Sequence, residues 1–441
     1  MRFSELDGLR VGVWGAGVET RSFGTILRSA LPAARITVVV LEAAADAPEL
    51  TDGARVVGAD EAVAATADCD VVVRSPGVSV HRYELQAIRA RGTIVTTATG
   101  LWLAERRGRN VLGLTATKGK STTASLLTHL IAATGRPVQL AGNIGRPALE
   151  LFDSNDNELA VVELSSYQIA DLACGPQVAM ASNLYPEHLQ WHLTHDAYMA
   201  EKLRLLALPG VECCVVNALS PEVMAAPRAP GPVHTYGKPP GWHVLDDGSV
   251  ARNGVMELPR GVLPLRGAHN ALNVCGALTA LEALEIPLPK FPQAFADFAG
   301  LPHRLQTVHL ASGVEWVDDS ISTTPESAAA ALASFAGQPV ILIGGGFDRG
   351  QDYTALGTAI AAAGARVLAL PVTGERLADA VRAAGGQATN VRDLPAAVAA
   401  AHAAAEPGTV VLLSPAAPSF NSHADFQERG SHFRELAASL G

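Results

Sequence analysis

Short runs rich in β-branched residues recur along the chain, each followed by a longer Ala/Leu-rich stretch of helical spacing. They are Val11–Trp14, Ile36–Leu41, Asp70–Val73, Val111–Thr115, Ala160–Glu163, Val340–Ile343, Arg366–Leu370 and Thr409–Leu413. Val178–Asn183 and Cys213–Asn217 carry the pattern through the middle. This alternation predicts an α/β fold built on parallel sheets. Between Pro227 and Pro264 the segments are shorter and richer in turn formers, with Pro239-Pro240-Gly241 and Asn253-Gly254, which predicts hairpins beside the central sheet. The alanines of 396–405 read as a helix of good formers. The polar cluster Glu105–Arg109 and the breaker Gly300-Leu301-Pro302 predict new units starting near 109 and 303, and so the divisions 1–108, 109–302 and 303–441.

A length of 441 residues agrees with about three domains. Apolar residues make up 48% and charged residues 17%, which excludes disorder and implies large buried cores. Lys plus Arg number 33 against 43 Asp plus Glu, a net charge of −10, which argues against a nucleic-acid partner. The chain contains no apolar stretch of membrane-spanning length, and Met1–Leu9 has no apolar leader core, so a cytoplasmic location is expected. Five cysteines without a CxxC pair point to reduced thiols.

The strongest local chemistry is Val111-Leu-Gly-Leu-Thr-Ala-Thr-Lys-Gly-Lys-Ser-Thr-Thr123. A strand, a tight loop and a helix opening at Lys120-Ser121 would aim backbone N–H groups at a polyphosphate. Lys120 would reach the terminal phosphates and Ser121 could ligate Mg²⁺. Leu114 stands where the general phosphate-loop pattern has its first glycine, so an ordinary strand–helix turn is the alternative. Glu163 ends an apolar run, where parallel sheets place ligands and where a carboxylate can hold Mg²⁺; a solvated strand-end acid is the alternative. In Asn183–His192, Pro186 and the missing HExxH pattern speak against zinc, and His188 reads as a Mg²⁺ ligand or substrate contact. Asn270 and Asn273 lie one helical turn apart, where amides can read an adenine edge. Gly12-Val-Trp-Gly15-Ala-Gly17-Val-Glu-Thr20 resembles a dinucleotide fingerprint with Thr20 in place of the third glycine. Glu42, at the end of the next strand, could accept from a ribose, with NAD(P) as the rival ligand.

Taken in order, GKSTT at 119–123, Gly142-Asn-Ile-Gly145, ELSSYQ at 163–168, the His188 segment with Lys202, Ala268–Asn273, Leu301–Arg304, Asp319-Ser320, Leu413–Ala416 and Glu428–Gly430 resemble the muramyl ligases, and most of all their glutamate-adding members. The resemblance implies three domains: a Rossmann-like N-terminal domain for a UDP substrate, a central P-loop ATPase domain, and a Rossmann-like C-terminal domain that takes the amino acid. It implies transfer of the ATP γ-phosphoryl group to the carboxylate of UDP-N-acetylmuramoyl-L-alanine, and attack of a glutamate amine on the acyl phosphate. Thr117, Gly119, Lys120, Ser121, Thr122, Asn270, Asn273, Arg304 and Asp319 would bind ATP. Ser121, Glu163, His188 and a carbamylated Lys202 would hold two Mg²⁺ ions; a solvated helix lysine is the alternative for Lys202. Gly15, Gly17, Glu42, Ser75, Gly77, Asn143, Ser165 and His188 would contact the UDP substrate, and Thr323, Arg349, Ser419 and Phe426 the glutamate.

Glutamate-adding members that use the D-enantiomer read Asp-Ser-Lys-Ala-Thr where this chain has Asp319-Ser-Ile-Ser-Thr323, so a cation is missing beside the pocket. This favours the branch that adds L-glutamate and works with a downstream glutamate epimerase, with D-glutamate as the alternative. The expected enzyme is monomeric. A folylpolyglutamate synthase-like ligase and a non-catalytic nucleotide-binding scaffold are the rival readings.

Overall fold

The computed structural model describes the chain apart from residues 44, 156, 185–188, 193, 264, 297, 299 and 441 and the side chains of 189, 190 and 296. It forms two compact units, residues 1–263 with 269–298, and residues 264–268 with 299–441.

The first unit holds two parallel sheets. In one, Arg10–Trp14 lies between Arg35–Val40 and Val71–Arg74, with Arg55–Val57 and Ile94–Thr96 at the edges. Successive side chains of a strand point to opposite faces, so each strand feeds two cores. Val11, Val13, Val71 and Val73 pack with Phe23 and Trp102, while Trp14, Val38, Val40 and Val72 pack with Leu85 and Ile88. The second sheet has the order Val233–Tyr236, Cys213–Asn217, Val178–Ala181, Val111–Thr115, Leu159–Glu163, Val138–Gly142. Trp102 of the helix Ala98–Arg106 shares a core with Ala141, Leu149 and Val162, so the two sheets are joined by continuous apolar packing.

The turn-rich segment splits. His243–Val244, Val250–Arg252 and Val255–Leu258 form the expected antiparallel hairpins, closed at Asn253-Gly254 with both residues at positive φ. Val233–Tyr236 departs from the hairpin expectation by joining the parallel sheet beside Cys213–Asn217. There Tyr236 is buried and its hydroxyl meets Ser182 Oγ at 2.7 Å, a long-range pairing that local turn signals do not carry.

The second unit is one six-stranded sheet in the order Gln306–Ala311, Val314–Asp318, Val410–Leu413, Val340–Gly344, Arg366–Ala369, Gln387–Asn390. The first pair is antiparallel and the rest are parallel. Val317, Leu342 and Leu412 feed one core, and Trp316, Ile343 and Leu413 the other. The loops that follow Asp318, Gly344 and Leu413 therefore leave the same, carboxyl edge of neighbouring parallel strands, where such sheets place their ligands.

Candidate active site

In the first unit, the fully buried strand Val111–Thr115 runs into a four-residue loop and the helix Lys120–Ala133. Gly119 caps that helix at φ +84°, and a Cβ there would lie 2.6 Å from Asn273 Oδ1, so only glycine lets the loop pass under the asparagine. Asn273 and Asn270, both buried on the helix Ala268–Ala283, are joined by a 3.1 Å amide hydrogen bond. Lys120 Nζ donates to the carbonyls of Ala116 and Thr117 at 2.8 and 3.0 Å. Thr117 is buried with its hydroxyl 2.8 Å from Tyr198, and Ser121 and Thr122 occupy the first turn of the helix.

The register pairs Leu114 with Glu163, which places the glutamate beside the start of the phosphate loop. Glu163 is 1% exposed. Its Oε1 accepts from Asn143 Nδ2 at 2.8 Å, whereas Oε2 is buried without a hydrogen-bond partner among the described residues. An ionised oxygen in that condition carries a large desolvation cost unless a cation meets it. Lys202, on the helix His195–Leu203, is 2% exposed and donates to Ala116 O at 2.8 Å and Thr115 Oγ1 at 3.4 Å. Glu163, Lys120 and Lys202 thus converge on one loop. His188 lies outside the described residues. Ser165 caps the turn Ser166–Ile169, and its hydroxyl donates to Gln168 Oε1.

A cleft of about 950 Å³ is lined by Gly15, Glu42, Ser75, Gly77, Arg82, Tyr167 and Trp191, among others. Gly15 and Gly17 are glycines because Ser75 packs against them: a Cβ would come within 2.9 Å of its Cβ and 2.6 Å of its Oγ, respectively. Thr20, in place of the third fingerprint glycine, donates its hydroxyl to the carbonyls of Gly15 and Gly17 and so holds this turn. Glu42 is paired with Arg82, whose guanidinium lies over the Trp14 ring.

In the second unit, the 345–350 and 414–420 loops pack together, with Phe347 N donating to Pro418 O at 2.8 Å and the Arg349 guanidinium over the Phe420 ring at 5.6 Å. This brings exposed Arg349 near the segment carrying buried Ser419. Ser322 O accepts from Ala416 N at 2.9 Å, which sets Thr323 beside the same loop. Phe426 begins the last helix and packs edge-on against His303. Asp319 is buried and accepts from Leu305 N and Ser414 Oγ. Burial pushes its carboxyl up to about 6, against the opposing pull of the Ser322 and Ser414 hydrogen bonds and Arg304.

Residues 114–281 match the family described as "Mur ligase middle domain", and residues 303–417 that described as "Mur ligase, glutamate ligase domain". A protein of Xanthomonas axonopodis pv. citri named UDP-N-acetylmuramoyl-L-alanine--L-glutamate ligase is 38% identical over 99% of this chain and 97% of its own. A Micromonospora protein of the same name is 40% identical over 99% of this chain and 98% of its own. The chain belongs to the Mur ligase family.

Among solved Mur ligases, the fold matches UDP-N-acetylmuramate-alanine ligase MurC of Thermotoga maritima at a TM-score of 0.62, with 16% identity, over 98% of this chain and 100% of that one. It matches MurF ligase of the same organism, in complex with ADP, at 0.60, with 15% identity, over 100% and 97%. In this Mur ligase several residues support the site through partners that the sequence did not reveal. Arg74, fully buried, grips Asp171 through two contacts of 2.7 and 2.8 Å and donates to the carbonyls of Ser75, Pro76, Val78 and Tyr167, which fixes the cleft loop. Trp191 stacks on Tyr167 at 4.6 Å and donates to Gly77 O. His303 and Leu305, both at positive φ, are anchored by Asp318 and Asp319, which fixes the backbone on either side of Arg304. Buried Arg429 ties Ser320 to Ala417, and burial lowers its guanidinium to about 10. An arginine before Ser75-Pro76 or in Glu428-Arg-Gly430 reads as a surface cation until its carbonyl partners are known.

Proposed function

We propose that this Mur ligase uses ATP to join L-glutamate to UDP-N-acetylmuramoyl-L-alanine. The observation that carries the reading is the meeting of Lys120, Lys202 and the half-satisfied Glu163 at one phosphate loop in a chain that is 38–40% identical, over nearly its whole length, to relatives named for that reaction. Residues 1–108 would take the UDP substrate, 109–302 the ATP, and 303–441 the amino acid.

Both reacting groups, a carboxylate and a polyphosphate, are anions, so this chain's task is to position them and to neutralise charge. The loop 116–119 and the first turn of Lys120–Ala133 present backbone N–H groups to the phosphates, and Lys120 exchanges its loop carbonyls for phosphate oxygens. Mg²⁺ fits the donor set: Glu163 Oε2 is an oxygen ligand in need of a cation, Ser121 is adjacent, and Lys202 becomes an oxygen donor when it carries a CO₂-derived carbamate, with His188 as a further ligand. When bound, that ion screens phosphate charge and polarises the transferring group. Asn143 holds Glu163 in place through Oε1. Thr117, Asn270 and Asn273 frame the nucleotide. The cleft of Gly15, Glu42, Ser75 and Gly77, with Gly17 on the turn beside it, accepts the UDP moiety, with Arg82 as its cation for the diphosphate, and Ser165 contacts the muramoyl-alanine end. In the second unit, Arg349, Thr323 and Ser419 face the glutamate carboxylates, with Phe426 closing the pocket.

The replacement of a lysine by Ile321 in Asp319-Ser-Ile favours the L-enantiomer. Phosphate release with UDP-N-acetylmuramoyl-L-alanine, ATP, Mg²⁺ and each glutamate enantiomer tests the reading. Faster turnover with L-glutamate is expected; faster turnover with D-glutamate overturns the enantiomer choice, and no release with either overturns the reaction.

A further inference from the structure

Three side chains outside the ligase machinery converge where the cleft loop meets the helix His195–Leu203. His81 comes from the loop that follows Ser75-Pro-Gly77, His192 ends the short helix Leu189–His192, and Glu201 lies one residue before Lys202. One ligand atom from each falls within 4.8 Å of the others. His81 Nε2 is 3.0 Å from Glu201 Oε1, and His192 Nδ1 is 2.6 Å from Glu201 Oε2.

We propose that His81, His192 and Glu201 form a binding site for one divalent transition-metal ion of the zinc class, independent of the ligase reaction.

Two imidazoles and one carboxylate are a donor set that such ions select over Mg²⁺, which prefers oxygen. Nitrogen-to-oxygen separations this short need a positive centre between the atoms, and both a proton and a metal ion supply one. Metal–ligand bonds of about 2.0–2.2 Å put tetrahedral ligand atoms roughly 3.3 Å apart, so the His81 separation needs to open by about 0.3 Å and the His192 separation by about 0.7 Å. The far side of the His192 ring is already engaged: Nε2 lies 2.9 Å from Ser166 Oγ. With Nε2–H donating to Ser166 Oγ, Nδ1 is left to present its lone pair inward, the arrangement that orients metal-bound histidines. His192 has no exposed surface and is packed among Trp191, Tyr167 and Tyr198, so its ring is held in that pose. His81 is the accessible member, with 31% of its side chain exposed, and supplies the entry path and room for a water as the fourth ligand. Occupancy would tie the loop bearing Ser75, Gly77 and Arg82 to the helix bearing Lys202.

The test uses the full chain, stripped by a chelator and dialysed against Zn²⁺ in excess Mg²⁺, which fills oxygen-rich sites. Wild type is expected to hold one zinc ion per chain more than His81→Ala and more than Glu201→Gln. Its thermal midpoint should rise with zinc while theirs do not. Co²⁺ added in place of Zn²⁺ should give an intense four-coordinate visible band in wild type alone. Because His81 is partly exposed, its variant should fold as wild type does, and far-UV circular dichroism checks this. Equal zinc uptake by wild type and both variants, or a Co²⁺ spectrum that the substitutions leave unchanged, would mean that the three side chains share only protons, and would overturn the site.

Discussion

Lys120 and Lys202 donate hydrogen bonds to the same backbone oxygen, the carbonyl of Ala116, each at 2.8 Å. Two cations from two helices are thereby focused on the phosphate loop of an acidic protein. The roles proposed for them differ, with Lys120 binding phosphate and Lys202 becoming an oxygen donor once carbamylated. Each role can be tested separately.

Lys120→Ala is expected to lower kcat/KM for ATP by at least ~10³-fold, the scale of losing a preorganised charge contact in a transition state. The urea midpoint should shift little, because Lys120 is only partly buried. Steady-state phosphate release on the folded variant checks this, and retained turnover would favour the scaffold reading.

Lys202 should yield a carbamate resonance when the protein is equilibrated with ¹³C-bicarbonate, and Lys202→Arg should not. Arginine keeps the positive charge and cannot carry the modification, so turnover should fall while ATP binding persists.

Glu163→Gln keeps the geometry that faces Asn143 and replaces the carboxylate oxygen that has no hydrogen-bond partner among the described residues. Turnover should fall by ~10²-fold or more, while the thermal midpoint changes little. A large loss of stability would show that the carboxylate serves the fold instead.

Among the described residues, Arg74→Met leaves Asp171 with only the 3.2 Å contact to Arg89 and removes a donor from four carbonyls. A cost of roughly 3–5 kcal/mol in urea unfolding is expected for breaking a buried pair from one side. The double variant Arg74→Met/Asp171→Leu should recover part of it.

Asp319 makes stability depend on pH. Its carboxyl is raised in the folded state from 3.8 to about 6, chiefly by burial, so the folded protein holds this proton more tightly than the unfolded chain. The resulting stabilisation is fully present below about pH 4 and is lost as pH rises through about 6, a change of roughly 3 kcal/mol. Asp319→Asn should flatten that part of the stability profile, as measured by denaturant midpoints across the window.

Much of this was legible in the sequence because it is local. A β-branched run followed by Thr-Lys-Gly-Lys-Ser already dictates a strand, a tight loop and a helix start, since strand propensity, the freedom of Gly119 at positive φ and helix opening are properties of neighbouring residues. The alternation of such units likewise determined the α/β class. Tertiary structure alone decided which residues meet. The edge placement of Val233–Tyr236, the burial of Arg74 and Arg429 on distant carbonyls, the grip of Asp318 and Asp319 on the loop around Arg304, and the convergence of His81, His192 and Glu201 all depend on contacts far apart in the chain. A charged side chain reads from sequence as a solvated one. Its partners, and the water it has lost, are set only when strands far apart in the chain pair within a unit and bring their loops together.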